Sequence, residues 1–76
     1  MERIKAKKSS SIRSVGYCEL NNILEIEFMS GSIYQFFGIP KRKADRIIGR
    51  CLRAHKSVGK YFIRIIQGRY KYVKIH

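Results

Sequence analysis

Two hydrophobic periods divide the chain from about residue 10 onward. Ile12, Val15 and Tyr17 predict a short first strand, and Asn21-Asn22 predict the turn that ends it. Over roughly residues 23–29 the alternation is clear, with Leu24, Ile26 and Phe28 to one side and Glu25 and Glu27 to the other. Ser30-Gly31 then returns the chain into a third strand, SIYQFF. A two-residue Ser-Gly turn would bring Ile33 and Phe37 beside Leu24, Ile26 and Phe28. A three-residue loop Met29-Ser30-Gly31 with a left-handed Gly31 would bring Tyr34 and Phe36 there instead, and is preferred because glycine then occupies the position where a side chain is penalised.

After Pro40 the period lengthens. Ala44, Ile47, Ile48, Cys51 and Leu52 form one apolar stripe of a helix that Pro40 opens and that runs to about Ala54. Ser57 is the expected N-cap of a second helix, in which Val58, Tyr61, Phe62, Ile65 and Ile66 repeat the helical spacing and Gly68 marks the stop. RYKYVKI alternates again and predicts a fourth strand. The order is β-β-β-α-α-β, an α+β fold in which a small antiparallel sheet carries both helices on one face. Residues 1–9 offer only Ile4 and Ala6 for burial and are expected to form a flexible basic N-terminal arm, with residues 10–76 as a single domain.

Charge changes this picture more than composition does. Of 76 residues, 17 are Lys or Arg and 5 are Asp or Glu, a formal charge of +12 with a sequence pI near 10.3. Residues 17–37 contain Glu19, Glu25 and Glu27 and no basic residue, whereas everything from Gly38 onward has Asp45 as its single carboxylate. The positive field therefore belongs to the first residues and the C-terminal half, and polyanions are the default partners. Cys18 and Cys51 make no disulfide framework, the start MERIKAKKSSS has no apolar run of the kind a secretion signal needs, and no segment is long and apolar enough to span a bilayer. The expectation is a soluble, cytoplasmic protein with free thiols and no membrane attachment.

The strongest candidate chemistry is a comb of basic residues. Arg42, Arg46, Arg50 and Arg53 lie within about 80° of one another, nearly opposite the apolar stripe, and span roughly 16 Å along the helix. Lys41, Lys43, Lys56, Lys60 and Arg64 extend the comb, Arg69 and Lys71 are further binding candidates, and arginine forks can each hold two phosphate oxygens. A solvated helix face normally mixes signs; here only Asp45 interrupts it. Tyr72 and Tyr70, interleaved with basic residues in RYKYVK, are candidates for stacking on unpaired bases, although in so small a core most rings serve packing.

Other chemistries find little. Cys51 and His55, four apart, could present two metal ligands with Cys18 as a third, but a buried thiol beside an imidazole accounts for the same spacing. Glu25 and Glu27 share a strand face without a further acid or His near them in sequence, and no Gly-rich phosphate loop precedes a helix. These features predict neither an enzyme nor a cofactor or metal site.

Taken in order, Ser11-x-x-x-Val15-Gly16-Tyr17, then Leu24-x-Ile26-x-Phe28-x-Ser30-Gly31-x-x-Tyr34-x-Phe36, Ile39-Pro40, Ser57-x-Gly59-x-Tyr61-Phe62 and Tyr70-x-Tyr72 resemble the KTSC domain. This small family occurs alone in bacterial and phage proteins and at the C-terminus of some lysyl-tRNA synthetases. The resemblance implies no catalytic residue and carries a suggested, unestablished role in RNA binding. Two positions depart from the pattern: Phe36 stands where a second tyrosine is usual, and Cys18 where an acidic residue often follows Gly-Tyr. The combined expectation is a nucleic-acid-binding module whose basic helical face grips a phosphate backbone, with RNA favoured over DNA through the resemblance alone. The alternative is a protein-interaction module, for example a phage-encoded inhibitor, whose basic face meets an acidic protein partner.

Overall fold

The computed structural model describes residues 2–53 and 58–76. Five strands form one antiparallel sheet in the order β1 (Arg3–Lys5), β2 (Ile12–Cys18), β3 (Ile23–Phe28), β4 (Ile33–Phe37) and β5 (Tyr72–Lys74). Helices α1 (Lys41–Leu52) and α2 (Val58–Ile65) fall between β4 and β5 in the chain. The α+β class, the antiparallel sheet and the paired helices are as the sequence predicts.

The strand at the N-terminus differs from the expected arm. Arg3–Lys5 pairs with β2, Ile4 lying opposite Val15 and packing against the core, while Ala6 is buried. The reason lies across the sheet: Arg3 reaches Glu25 with its Nε at 2.7 Å, so the strand is held by an ion pair as well as by its one large apolar residue.

Register decides which residues face the helices. Val15 lies opposite Ile26, Tyr17 opposite Leu24, Ile26 opposite Tyr34 and Leu24 opposite Phe36, so these side chains share one face. Ile12 and Val15 are three apart and would diverge in a regular strand; a register shift at Arg13 supplies the extra residue that turns Ile12 back to the same face. The β3–β4 hairpin takes the three-residue loop, with Gly31 at φ 96° and its N–H donating to the Phe28 carbonyl at 2.9 Å. Tyr34 and Phe36 thereby join the core, and Phe37 is left on the other face.

Both helices bury most of their stripes on this face, whereas Leu52, expected on the α1 stripe, lies at the end of the helix and is 70% exposed. Ala44, Ile47 and Cys51 of α1 and Val58, Tyr61 and Phe62 of α2 join Val15, Leu24, Ile26, Phe36 and Ile39 in one cluster. Phe62 stands edge-on to Phe28 at 5.7 Å and to Phe36 at 5.2 Å, which places α2 over β3 and β4. Gly59 allows the close approach of α2 to the start of β2, since a Cβ there would force the Ser11 hydroxyl aside. Pro40 occupies the N-cap of α1 in extended conformation, and the helix ends at Leu52 with Arg53 as its C-cap; the expected Ala54 end and the Ser57 cap lie outside the described residues. Gly68, at φ 80°, follows α2 as the predicted stop.

Candidate nucleic-acid interface

Burial of the α1 stripe sorts the basic residues by angle. Arg42, Arg46 and Arg53 are exposed, and none of them takes part in an ion pair among the described residues. The Arg53 guanidinium lies across Gly49, where a Cβ would stand 3.3 Å from Nη1. Lys41 is paired with Asp45 at 2.9 Å, which removes the one carboxylate of the helix from the arginines and raises the lysine pKa, through that hydrogen bond first and the carboxylate charge second.

Lys43 and Arg50 behave differently. Seven residues apart, they lie nearly one above the other on the flank facing α2 and the segment after it. Lys43 donates to the Tyr70 hydroxyl at 2.6 Å, its ammonium 5.0 Å from the ring centroid. Arg50 lies 3.7 Å over the Tyr61 ring, with its Nε buried and without a hydrogen-bond partner among the described residues. Arg64 approaches the same ring at 5.9 Å, so Tyr61 carries one guanidinium from each helix. Sequence spacing placed all these residues on one comb; on α1 the structure separates Lys43 and Arg50, which pack on tyrosines, from Arg42, Arg46 and Arg53, which face outward.

The remaining candidates continue the basic surface along α2 and β5. Lys60 and Arg64 are exposed on α2, and Arg69 donates from Nε to the Arg64 carbonyl at 3.0 Å, holding the chain just after the helix. Lys71 is exposed immediately before β5, and Tyr72, on the strand, is exposed with its ring 5.6 Å from both Tyr34 and Phe36. Lys56 lies outside the described residues, as does His55 of the possible metal pair. Among the described residues no group of three potential metal ligands exists, and burial pushes the Cys51 thiol up to about 11.

The carboxylates of β3 sit on the opposite face of the sheet. Glu25 accepts hydrogen bonds from Arg3 and from Gln35 Nε2 at 2.9 Å, while Glu27 accepts one from Ser14 Oγ at 2.8 Å and lies near Arg3 and Arg13. Glu25 is only 6% exposed although its face carries no helix. Burial alone would raise its pKa, but the hydrogen bonds from Gln35 and Arg3 and the Arg3 charge outweigh that and hold the carboxyl below its ordinary value.

One feature had no clear signal in the sequence. A cavity of about 720 Å³ opens beside α2 and is lined by Phe28, Tyr34, Phe36, Phe62, Ile63 and Tyr72 among others. Its sequence traces are Tyr72, a stacking candidate, and Ile63, a large apolar residue off the α2 stripe that is 58% exposed.

A small antiparallel sheet with two helices on one face, basic on its outer surface, defines a compact α+β domain. The chain belongs to the KTSC domain family, whose profile matches residues 8–70. It is 36% identical to an uncharacterized protein of Stutzerimonas stutzeri over 99% of both chains. It is 31% identical to a lysine–tRNA ligase of Nostoc sp. over 90% of this chain, which spans 11% of the ligase. The crystal structure of a KTSC domain protein from Yersinia pestis superposes with a TM-score of 0.79 at 32% identity, covering 99% of this chain and 97% of the other.

Proposed function

We propose that this KTSC domain is a cytoplasmic nucleic-acid-binding module that grips a phosphate backbone with the outer faces of α1 and α2, and that RNA is the favoured ligand. The observation that carries this reading is the separation of charge. Arg42, Arg46, Arg53 and Lys60 are exposed and without carboxylate partners among the described residues, whereas Glu25 and Glu27 are engaged by Arg3 and Ser14 across the sheet. An uncompensated positive layer costs self-repulsion, and a polyanion relieves it. A relative whose name is that of a tRNA ligase favours RNA over DNA.

Fluorescence anisotropy with matched single- and double-stranded RNA and DNA at several salt concentrations tests the proposal. Each duplex phosphate neutralised contributes about −0.9 to the slope of log K against log salt. Arg42→Ala and Arg46→Ala together should flatten that slope by about two units if both touch phosphate. Unchanged affinity and slope would remove α1 from the interface, and binding that needs an acidic protein instead of nucleic acid would support an interaction module.

A further inference from the structure

The cavity beside α2 is walled by rings on a molecule that has few to spare. Phe28, Tyr34, Phe36, Phe62 and Tyr72 all line it. At about 720 Å³ it falls within the range of ligand sites, about 300–1,000 Å³. Core packing alone does not account for it, because large apolar side chains around it remain open to solvent: Tyr72 is 59%, Ile63 58% and Met29 48% exposed. Polar groups are also present at the wall, among them Gln67, Ser32 and Ser11.

Charge indicates the occupant. Lys74 lies directly across from Tyr34 on the same face of the sheet, at one margin of the cavity. On the other margin exposed Lys60 lies about 60° from the cavity-lining Ile63 around the α2 axis. Aromatic walls flanked by cations suit a flat, π-rich group attached to an anionic chain, and fit an uncharged apolar peptide less well. We infer that this groove takes an unpaired nucleobase, stacked against Tyr72, with the adjoining phosphates on Lys60 and Lys74. Gln67 and the serine hydroxyls are placed to meet the polar edge of the base. The inference rests on the nucleic-acid reading above and adds to it that the ligand is at least partly single-stranded.

Tyr72 lies on a three-residue edge strand and is largely exposed, so its replacement leaves the core intact. The test compares wild type, Tyr72→Ala and Tyr72→Phe for binding to a short oligouridylate and to a blunt RNA duplex of the same length, with circular dichroism confirming the fold of each. Tyr72→Ala should weaken single-strand binding by about 5- to 160-fold, the equivalent of about 1–3 kcal/mol per stacked base, with duplex affinity and salt slope unchanged. Tyr72→Phe, which keeps the ring, should bind as wild type does. Equal single-strand affinity for Tyr72→Ala and wild type overturns the groove while leaving the basic face standing. So does equal weakening on both ligands, or a change in sedimentation that marks the groove as a contact between two copies. No binding of wild type to any nucleic acid overturns both readings.

Discussion

At the scale of single residues, Glu25 shows how a carboxylate can be buried on a sheet face without helix cover. Arg3 from β1 and Gln35 from β4 approach it from both sides, and the cost of its desolvation is met by their hydrogen bonds. Because the folded-state pKa lies below the unfolded one, the contribution of this group to stability is present above the ordinary glutamate value of 4.5 and is lost as pH falls through the folded pKa. Arg3→Ala removes the cation and its hydrogen bonds but leaves the burial. In that variant the Glu25 carboxyl should titrate at higher pH, and the acid-induced fall in melting temperature should begin earlier. Carbon-detected NMR titration of the Glu25 carboxyl measures the first, and thermal melts across pH 3–6 measure the second. An unmoved Glu25 midpoint would show that Arg3 is not what holds the carboxyl down.

At the scale of elements, α1 and α2 are joined by more than their apolar stripes. Arg50 on α1 stacks on Tyr61 of α2 while Arg46, one turn earlier, faces solvent. Arg50→Ala should therefore lower unfolding free energy by about 1 kcal/mol, the scale of a partly desolvated cation–π contact, with some offset because the unpartnered Nε is removed too. Arg46→Ala should change it by less than about 0.5 kcal/mol. Urea denaturation of the two variants separates them, and equal effects would mean the Arg50–Tyr61 stack contributes nothing to helix docking. That distinction was not legible in the sequence, where Arg46 and Arg50 hold equivalent places on the comb. Periodicity reveals which side of a helix is apolar, but the flank that meets a second helix depends on how the two cross. The strand and helix order from Ile12 to the end was legible, as was the left-handed Gly31, because alternation and turn chemistry are local. The β1 strand was not, since Arg3, Ile4 and Lys5 alternate over too few residues to signal a strand, and what holds them, Glu25, is distant in sequence. The aromatic groove was legible only through Tyr72, a stacking candidate; its other rings come from β3, β4 and α2, and each alone reads as core.

At the scale of the whole molecule, α1 and α2 carry exposed cations close together on a body measuring only 27 × 25 × 23 Å. The Debye length is about 10 Å at 0.1 M salt, so at lower ionic strength the exposed cations of α1 and α2 repel one another across the whole helical layer. If that layer exists for binding, the residues that hold a polyanion are the same ones that strain the free protein. The triple variant Arg42→Ala, Arg46→Ala, Arg53→Ala should then lose nucleic-acid affinity and yet melt at a higher temperature than wild type in low salt. Alanine's helix propensity adds slightly to the gain, but that part is independent of salt. The electrostatic part is not, and the gap in melting temperature should narrow as sodium chloride rises toward 1 M, where the Debye length is about 3 Å. A repulsion of about 1 kcal/mol corresponds to roughly 4–8 °C for a domain of this size, well within the reach of a thermal melt. A triple variant that melts with wild type at low salt would show that the arginines are not straining one another, and the charge argument for a polyanionic ligand would lose its physical basis.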